Sequence, residues 1–190
     1  MAEGVRLGAR KRILVTAYDL FTQRGVRNVT VDEIIKTSGV AIATFYRHFS
    51  SKNELAAEFL RMRADLWSTD VVVAESRRRA SEPQDRLLAI FDVFDEWFQR
   101  DDFEGDSFVN VLIEMGAEHP LGKASIEHLS DVRRAVQQMA EEARITDAED
   151  FSRSYQILMK GAIIGAMMGD MQAARRAKRV AELMLTTYQA

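Results

Sequence analysis

A chain of 190 residues that is 47% hydrophobic, with two prolines and no cysteine, can bury a sizeable core and has little to interrupt helices. The lack of cysteine excludes disulfides, thiolate catalysis and Cys-based zinc sites, and fits a reducing cytoplasm. A net charge of −3 argues against a nucleic-acid binder, but residues 1–52 hold nine Lys/Arg against four Asp/Glu (+5) and the remainder seventeen against twenty-five (−8). That split describes a basic head able to meet a polyanion and an acidic body that is not.

The N-terminal stretch MAEGVRLGARKRILVTAYDLF is basic and then amphipathic. Asp19 interrupts its apolar run, so it does not read as a signal peptide. The most apolar segment, ILMKGAIIGAMM, is short and holds Lys160, far from the roughly 20 apolar residues of a membrane span. These features predict a soluble, cytoplasmic protein without a membrane partner.

Apolar residues recur at helical spacing: Ile13, Ala17, Leu20 and Phe21; Leu87, Phe91, Phe94 and Phe98; Leu158, Ala162, Ile163 and Ala166. The only β-like run, VVV at 71–73, is too short for a sheet. The expected fold is all-α, with about nine helices over 6–25, 30–37, 41–48, 51–78 (a break near Thr69 being the alternative), 83–100, 106–117, 121–144, 147–168 and 170–189. Capping boxes fit TVDE at Thr30, SKNE at Ser51 and TDAE at Thr146, and SEPQ at Ser81 is a variant with Pro83 in the first turn. Gly25, Gly39, Gly105 and Gly169 fall where helices are expected to end.

Helices 30–37 and 41–48 are joined by TSGV, the helix-turn-helix pattern, whose second helix normally enters the major groove. On a helical wheel Phe45 and Phe49 share a face suited to core. Ala43, Thr44, Tyr46 and Arg47 point away from it, and His48 sits at the margin. Small residues at the front let the helix sink into a groove, and Tyr, Arg and His can reach phosphates on its walls. Lys52, at the first position of a helix capped by Ser51, opposes the helix macrodipole unless an anion binds there. Thr30 could offer its hydroxyl in the same way.

ILVTAYDLFTQRGVRNVTVDEIIKTSGVAIATFYRHFSSKNEL resembles the DNA-binding domain of the TetR family of bacterial transcriptional regulators over about residues 10–60. The resemblance implies a three-helix DNA-binding domain over 1–50, an effector-binding and dimerisation domain over 51–190, a homodimer on a palindromic double-stranded operator, and release of DNA when a small effector binds. Position by position, Thr44, Tyr46, His48 and Lys52 match family contacts to DNA, mostly phosphate. Ile42 and Ala43 match positions that approach bases, and Thr30 the cap that touches backbone. Three positions depart from the family pattern. Ala41 stands where a capping Ser or Thr is usual, Ala43 where Gly is common, and Ile42 in place of a polar residue. Base reading at Ile42 would therefore lean on thymine methyls.

Residues 60–190 resemble the family only in helical layout. Gly161, Gly165 and Gly169 are four apart, which asks for a close helix approach, either to a second copy or within the chain. With Val180, Leu183, Met184 and Tyr188 they form the expected dimer interface. RRAKR at 175–179 reads as a solvated face. An apolar effector pocket is expected among Met62, Trp67, Phe91, Phe94, Trp97, Phe98, Phe108, Leu112, Met115, Tyr155 and Met159, although each is individually more typical of core. Glu114, His119 and His128 are possible polar anchors. Their spacing matches no metal motif, so no metal and no cofactor are expected.

The expected function is a ligand-responsive dimeric DNA-binding regulator, a repressor by the resemblance. A TetR-like dimer acting as a protein-interaction adaptor is the alternative. An enzyme is not expected: the three histidines are scattered, and there is no glycine-rich phosphate loop and no Ser-His-Asp pattern.

Overall fold

The computed structural model describes residues 8–66 and 69–188. Ten α-helices occupy them: α1 Ala9–Arg24, α2 Val31–Ser38, α3 Ile42–His48, α4 Lys52–Leu66, α5 Thr69–Arg79, α6 Pro83–Phe98, α7 Ser107–Met115, α8 Pro120–Glu142, α9 Ala148–Met167 and α10 Ala173–Tyr188. No described residue is in a strand, and VVV lies inside α5. The architecture is all-α, as expected. Over 51–78 the described residues form α4 and α5, in line with the alternative of a break near Thr69.

Local signals explain several helix starts. The Thr30 hydroxyl accepts from the Glu33 N–H at 3.2 Å, but the Glu33 carboxylate pairs with Arg24 rather than reaching back. The box at Ser51 closes more fully. Ser51 Oγ accepts from the Glu54 N–H at 3.2 Å, and Glu54 accepts from the Ser50 N–H and hydroxyl, both at 2.7 Å. At α9 the cap is one residue later than expected: Asp147, with a positive φ of 51°, accepts from the Asp150 N–H. At α6 the N-cap is Glu82, without a side-chain cap bond, and Pro83 opens the helix.

The chain divides into two compact units, Met1–Asp65 with Ser107–Ile126, and Leu66–Asp106 with Glu127–Ala190. The first therefore takes in α4 to residue 65, α7 and the start of α8 besides α1 to α3. In it α1 packs against α2 and α3, burying Ile13, Ala17, Phe21, Ile34, Phe45, Phe49, Leu55 and Phe59. Tyr18 and Phe21 each meet the Phe59 ring edge-on at about 5.5 Å. The Arg63 guanidinium, buried against this cluster, donates to the Tyr18 hydroxyl at 2.8 Å.

The second unit is built on α6. Phe91, Phe94, Trp97 and Phe98 form one buried cluster with Phe151, Tyr155 and Met159 of α9. Ala173, Ala174, Ala177 and Ala181 give α10 a face of small residues, which lets it pack closely on both α6 and α9. Ion pairs flank that seam, Lys178 to Asp92 at 2.7 Å and Arg175 to Asp95 at 3.0 Å. Those two residues of the RRAKR run thus tie α10 to α6 rather than only facing solvent. No helix among the described residues is long and apolar enough to cross a membrane.

Tyr155 is fully buried, and its hydroxyl donates to the Leu87 carbonyl of α6. Burial pushes its phenol pKa up, so it stays a donor at any physiological pH. Tyr155→Phe should therefore cost about 1 kcal/mol and lower the melting temperature by roughly 2–4 °C, which thermal denaturation checks.

Candidate nucleic-acid interface

The turn between α2 and α3 is set by Gly39, whose left-handed backbone (φ 65°, ψ 34°) ends α2 with its N–H on the Ile35 carbonyl. Three residues later α3 begins without a side-chain cap, because its N-cap Ala41 has no hydroxyl to offer. Only its carbonyl serves, accepting from the Thr44 and Phe45 N–H groups at 2.9 and 3.1 Å.

Of the outward set predicted from the wheel, Ala43, Tyr46 and Arg47 are exposed in the structure and Thr44 is half-buried. Phe45 and Phe49 are buried, Ile42 is 62% and Tyr46 54% exposed, and His48 is half-buried. The Phe45 ring also props Tyr46, whose ring stands edge-on to it at 5.3 Å. Helix α3 thus presents a small apolar front, Ile42 and Ala43, followed by hydrogen-bonding and cationic groups. Thr30, capping α2, is exposed as well.

The positive charge of this region is not all available. Among the eight cations of residues 8–52, Arg10 pairs with Glu58 at 2.7 Å and lies over the Phe49 ring. Arg12 donates to the Ser38 carbonyl at 3.3 Å, and Arg24 pairs with Glu33. The Lys52 ammonium reaches the Val26 and Val29 carbonyls, each at 3.0 Å, and the Arg27 carbonyl at 3.5 Å. Lys52 was expected to aim at a phosphate. In the structure its charge is turned onto the α1–α2 loop, which explains a cation at a helix start. Lys11, Arg27, Lys36 and Arg47 remain exposed, with no ion pair among the described residues.

The expected effector residues are divided between the two units. Phe91, Phe94, Phe98, Tyr155 and Met159 fill the second unit's core, with Phe91 and Tyr155 centroids 5.2 Å apart. Met62, Phe108, Leu112 and Met115 belong to the first unit, and Trp67 lies outside the described residues. The second unit carries an open groove of about 700 Å³ between α5 and α6, lined by Val71, Ala74, Glu75, Arg78, Arg79, Val93, Glu96, Trp97 and Arg100. Trp97 was among the expected pocket residues. The others lacked any periodic signal, because the groove exists only where two helices meet.

On α9, Ile157 (74% exposed), Gly161 and Ile164 share one face, and the C-cap Met168 (83%) follows it. Val180 and Leu183 (69%) are exposed on α10, and Met184 and Tyr188 are half-buried. Of the glycines, Gly161 faces open space, whereas a Cβ at Gly165 would sit 3.1 Å from that of Ala173. The close approach at Gly165 is thus made within the chain, to α10. Gly169 lies beyond α9, in the turn, at φ 95°.

Of the three possible polar anchors, His119 Nδ1 accepts from the Leu121 N–H at 3.2 Å at the start of α8. His128 is half-buried, and burial holds its pKa below the usual histidine value. Glu114 accepts from the Arg27 N–H at 3.0 Å. No three His, Asp or Glu side chains among the described residues are grouped to hold a metal.

Residues 13–59 match the model of the family described as bacterial regulatory proteins, tetR family. HTH-type transcriptional regulators of Staphylococcus aureus strains USA300 and NCTC 8325 are each 35% identical over 60 residues, 32% of this chain and 32% of theirs. The matched segment therefore spans about a third of those relatives. In fold, the chain is similar to a TetR-family transcriptional regulator from Streptomyces coelicolor (TM-score 0.85, 23% identity, 96% of each chain). It is also similar to a protein from Saccharomonospora viridis solved in complex with choline (TM-score 0.73, 22% identity, 94% of this chain and 95% of that one).

The geometry at Lys52 makes a distinct prediction. Lys52→Ala should remove the counter-charge of three carbonyls and lower stability by about 1–2 kcal/mol. Any loss of DNA affinity should come without a change in salt dependence, because the ammonium is not free to displace counterions. Thermal melts and binding titrations at several salt concentrations check both.

Proposed function

We propose that this chain, which belongs to the TetR family of bacterial transcriptional regulators through its N-terminal domain, is a homodimeric repressor that binds a palindromic duplex operator and leaves it when a small effector binds. The observation that carries this reading is α3, whose buried Phe45 and Phe49 turn Ile42, Ala43, Tyr46 and Arg47 to solvent.

In this reading Ile42 and Ala43 lie deepest in the major groove, where an apolar front favours thymine methyls over hydrogen-bonded edges. Thr44, Tyr46, Arg47 and His48, with Thr30 at the start of α2, bind phosphates along the groove walls and fix the register. Lys11, Arg27 and Lys36 add charge without sequence preference. Two such helices must stand about 34–36 Å apart to meet successive half-sites.

The dimer is assigned to the exposed apolar face of α9 and α10, with Ile157, Ile164, Met168, Val180 and Leu183 at its centre and Gly161 admitting a close helix approach. The effector is assigned to the second unit. In the α5–α6 groove Val93 and Trp97 offer an apolar floor, rimmed by Arg78, Arg79, Arg100, Glu75 and Glu96. This suits a largely apolar molecule with a polar end. Binding there would favour a state whose recognition helices no longer fit the operator.

Anisotropy titrations against duplex DNA from around its own coding sequence test the interface. Arg47→Ala should weaken binding and reduce the salt slope by about one, and Tyr46→Ala should weaken binding too. Unchanged affinity and slope in both would exclude α3 as the contact. For the dimer, Leu183→Glu should leave the melting profile of the isolated subunit intact and shift the species seen by light scattering to the monomer. A monomeric wild type would exclude the assignment.

A further inference from the structure

We propose that Glu114 is a positioning residue for DNA binding, holding the α1–α2 loop in a clamp whose other jaw is Lys52. The proposal rests on the reading that α3 binds DNA.

The loop from Gly25 to Val29 ends one residue before α2, whose cap is Thr30. It decides where α2 starts and, through the Gly39 turn, where α3 lies. Few of its backbone groups are satisfied by local bonds. The Gly25 N–H closes α1 on the Phe21 carbonyl at 2.9 Å. Beyond it the Arg27 N–H donates to Glu114 Oε2 at 3.0 Å, while the carbonyls of Val26, Arg27 and Val29 face the Lys52 ammonium. The loop is thus gripped by an anion on its donor side and a cation on its acceptor side. Val26 and Val29 are buried beneath it.

The grip at Glu114 is close. A Cβ at Gly25 would stand 1.9 Å from Glu114 Oε1, so the carboxylate lies on the loop backbone itself. Gly25 also takes φ 79° and ψ 158°, a conformation essentially confined to glycine. The loop is shaped for this contact, and the residue making it lies 87 positions away on α7. Withdrawal of α7 would remove the acceptor from Arg27 and leave the start of α2 to Lys52 and to Arg24, which meets the Asn28 carbonyl and Glu33.

The sign of the effect separates positioning from plain electrostatics. Glu114 is a negative charge in the unit that meets DNA, so deleting it should by Coulomb's law strengthen binding. Glu114→Gln removes the charge but keeps an oxygen acceptor. Glu114→Leu keeps the bulk and removes the acceptor. Against the same duplex, Glu114→Gln should bind at least as tightly as wild type, and Glu114→Leu roughly three- to tenfold more weakly. Both should keep the wild-type salt slope, since Glu114 displaces no counterion. Amide exchange at Arg27 should accelerate in Glu114→Leu and not in Glu114→Gln. Should Glu114→Leu fail to fold, Glu114→Ala tests the same loss without an apolar group at the loop. Wild-type or tighter binding by the acceptor-less variant, with wild-type DNA binding intact, overturns the clamp alone. A wild type that binds no duplex overturns the regulator reading and this proposal with it.

Discussion

A seven-residue helix without a side-chain cap cannot hold itself together in water. Helix α3 persists because Phe45 and Phe49 are buried against the first unit, and that burial is the constraint on which the surface depends. Two aromatic rings four residues apart fix the rotation of the helix about its axis. With the rotation fixed, the identity of every outward residue follows. Tyr46 illustrates the economy of the arrangement, since the ring that anchors the helix also supports the side chain beside it.

Charge in this domain has two jobs that a sequence count merges. Four of its described cations face solvent, and four hold the domain together against carboxylates or backbone carbonyls. A surplus of +5 therefore overstates the field offered to a polyanion. The internal pairs still matter to it. Arg12 satisfies the Ser38 carbonyl at the C-terminal end of α2, where the dipole favours a cation, and Lys52 satisfies carbonyls of the loop that leads into α2. In the second unit the same economy joins α10 to α6, with Lys178 and Arg175 flanking a seam of alanines.

What was legible in the sequence was local. The caps at Thr30 and Ser51, the Gly39 turn and the two faces of α3 all depend on residues a few positions apart, where spacing and geometry are tied. What depended on distant neighbours was not legible. The ammonium of Lys52 finds carbonyls 23 to 26 residues away, and Glu114 finds an amide 87 away; neither pairing leaves a periodic trace. The cap of α9 slipped from Thr146 to Asp147 because either side chain could serve, and only the backbone decides. Aromatic and methionine residues of the body could not be sorted into core and pocket, since both environments ask for the same apolar chemistry. Gly165 and Gly169 had equal spacing from their neighbours and unequal fates, one against Ala173 and one in a turn.

The position of Trp97 has an optical consequence. The chain has two tryptophans, at 67 and 97, and neither lies in α1, α2 or α3. Trp97 is largely buried yet forms part of the wall of the α5–α6 groove, so its emission is sensitive to a guest that displaces water or brings a quencher near the indole. The aromatic residues of α1, α2 and α3 are tyrosine and phenylalanine alone. Excitation at the red edge of the absorption band would therefore light the tryptophans and leave α1, α2 and α3 dark, giving an unlabelled channel for events in the groove.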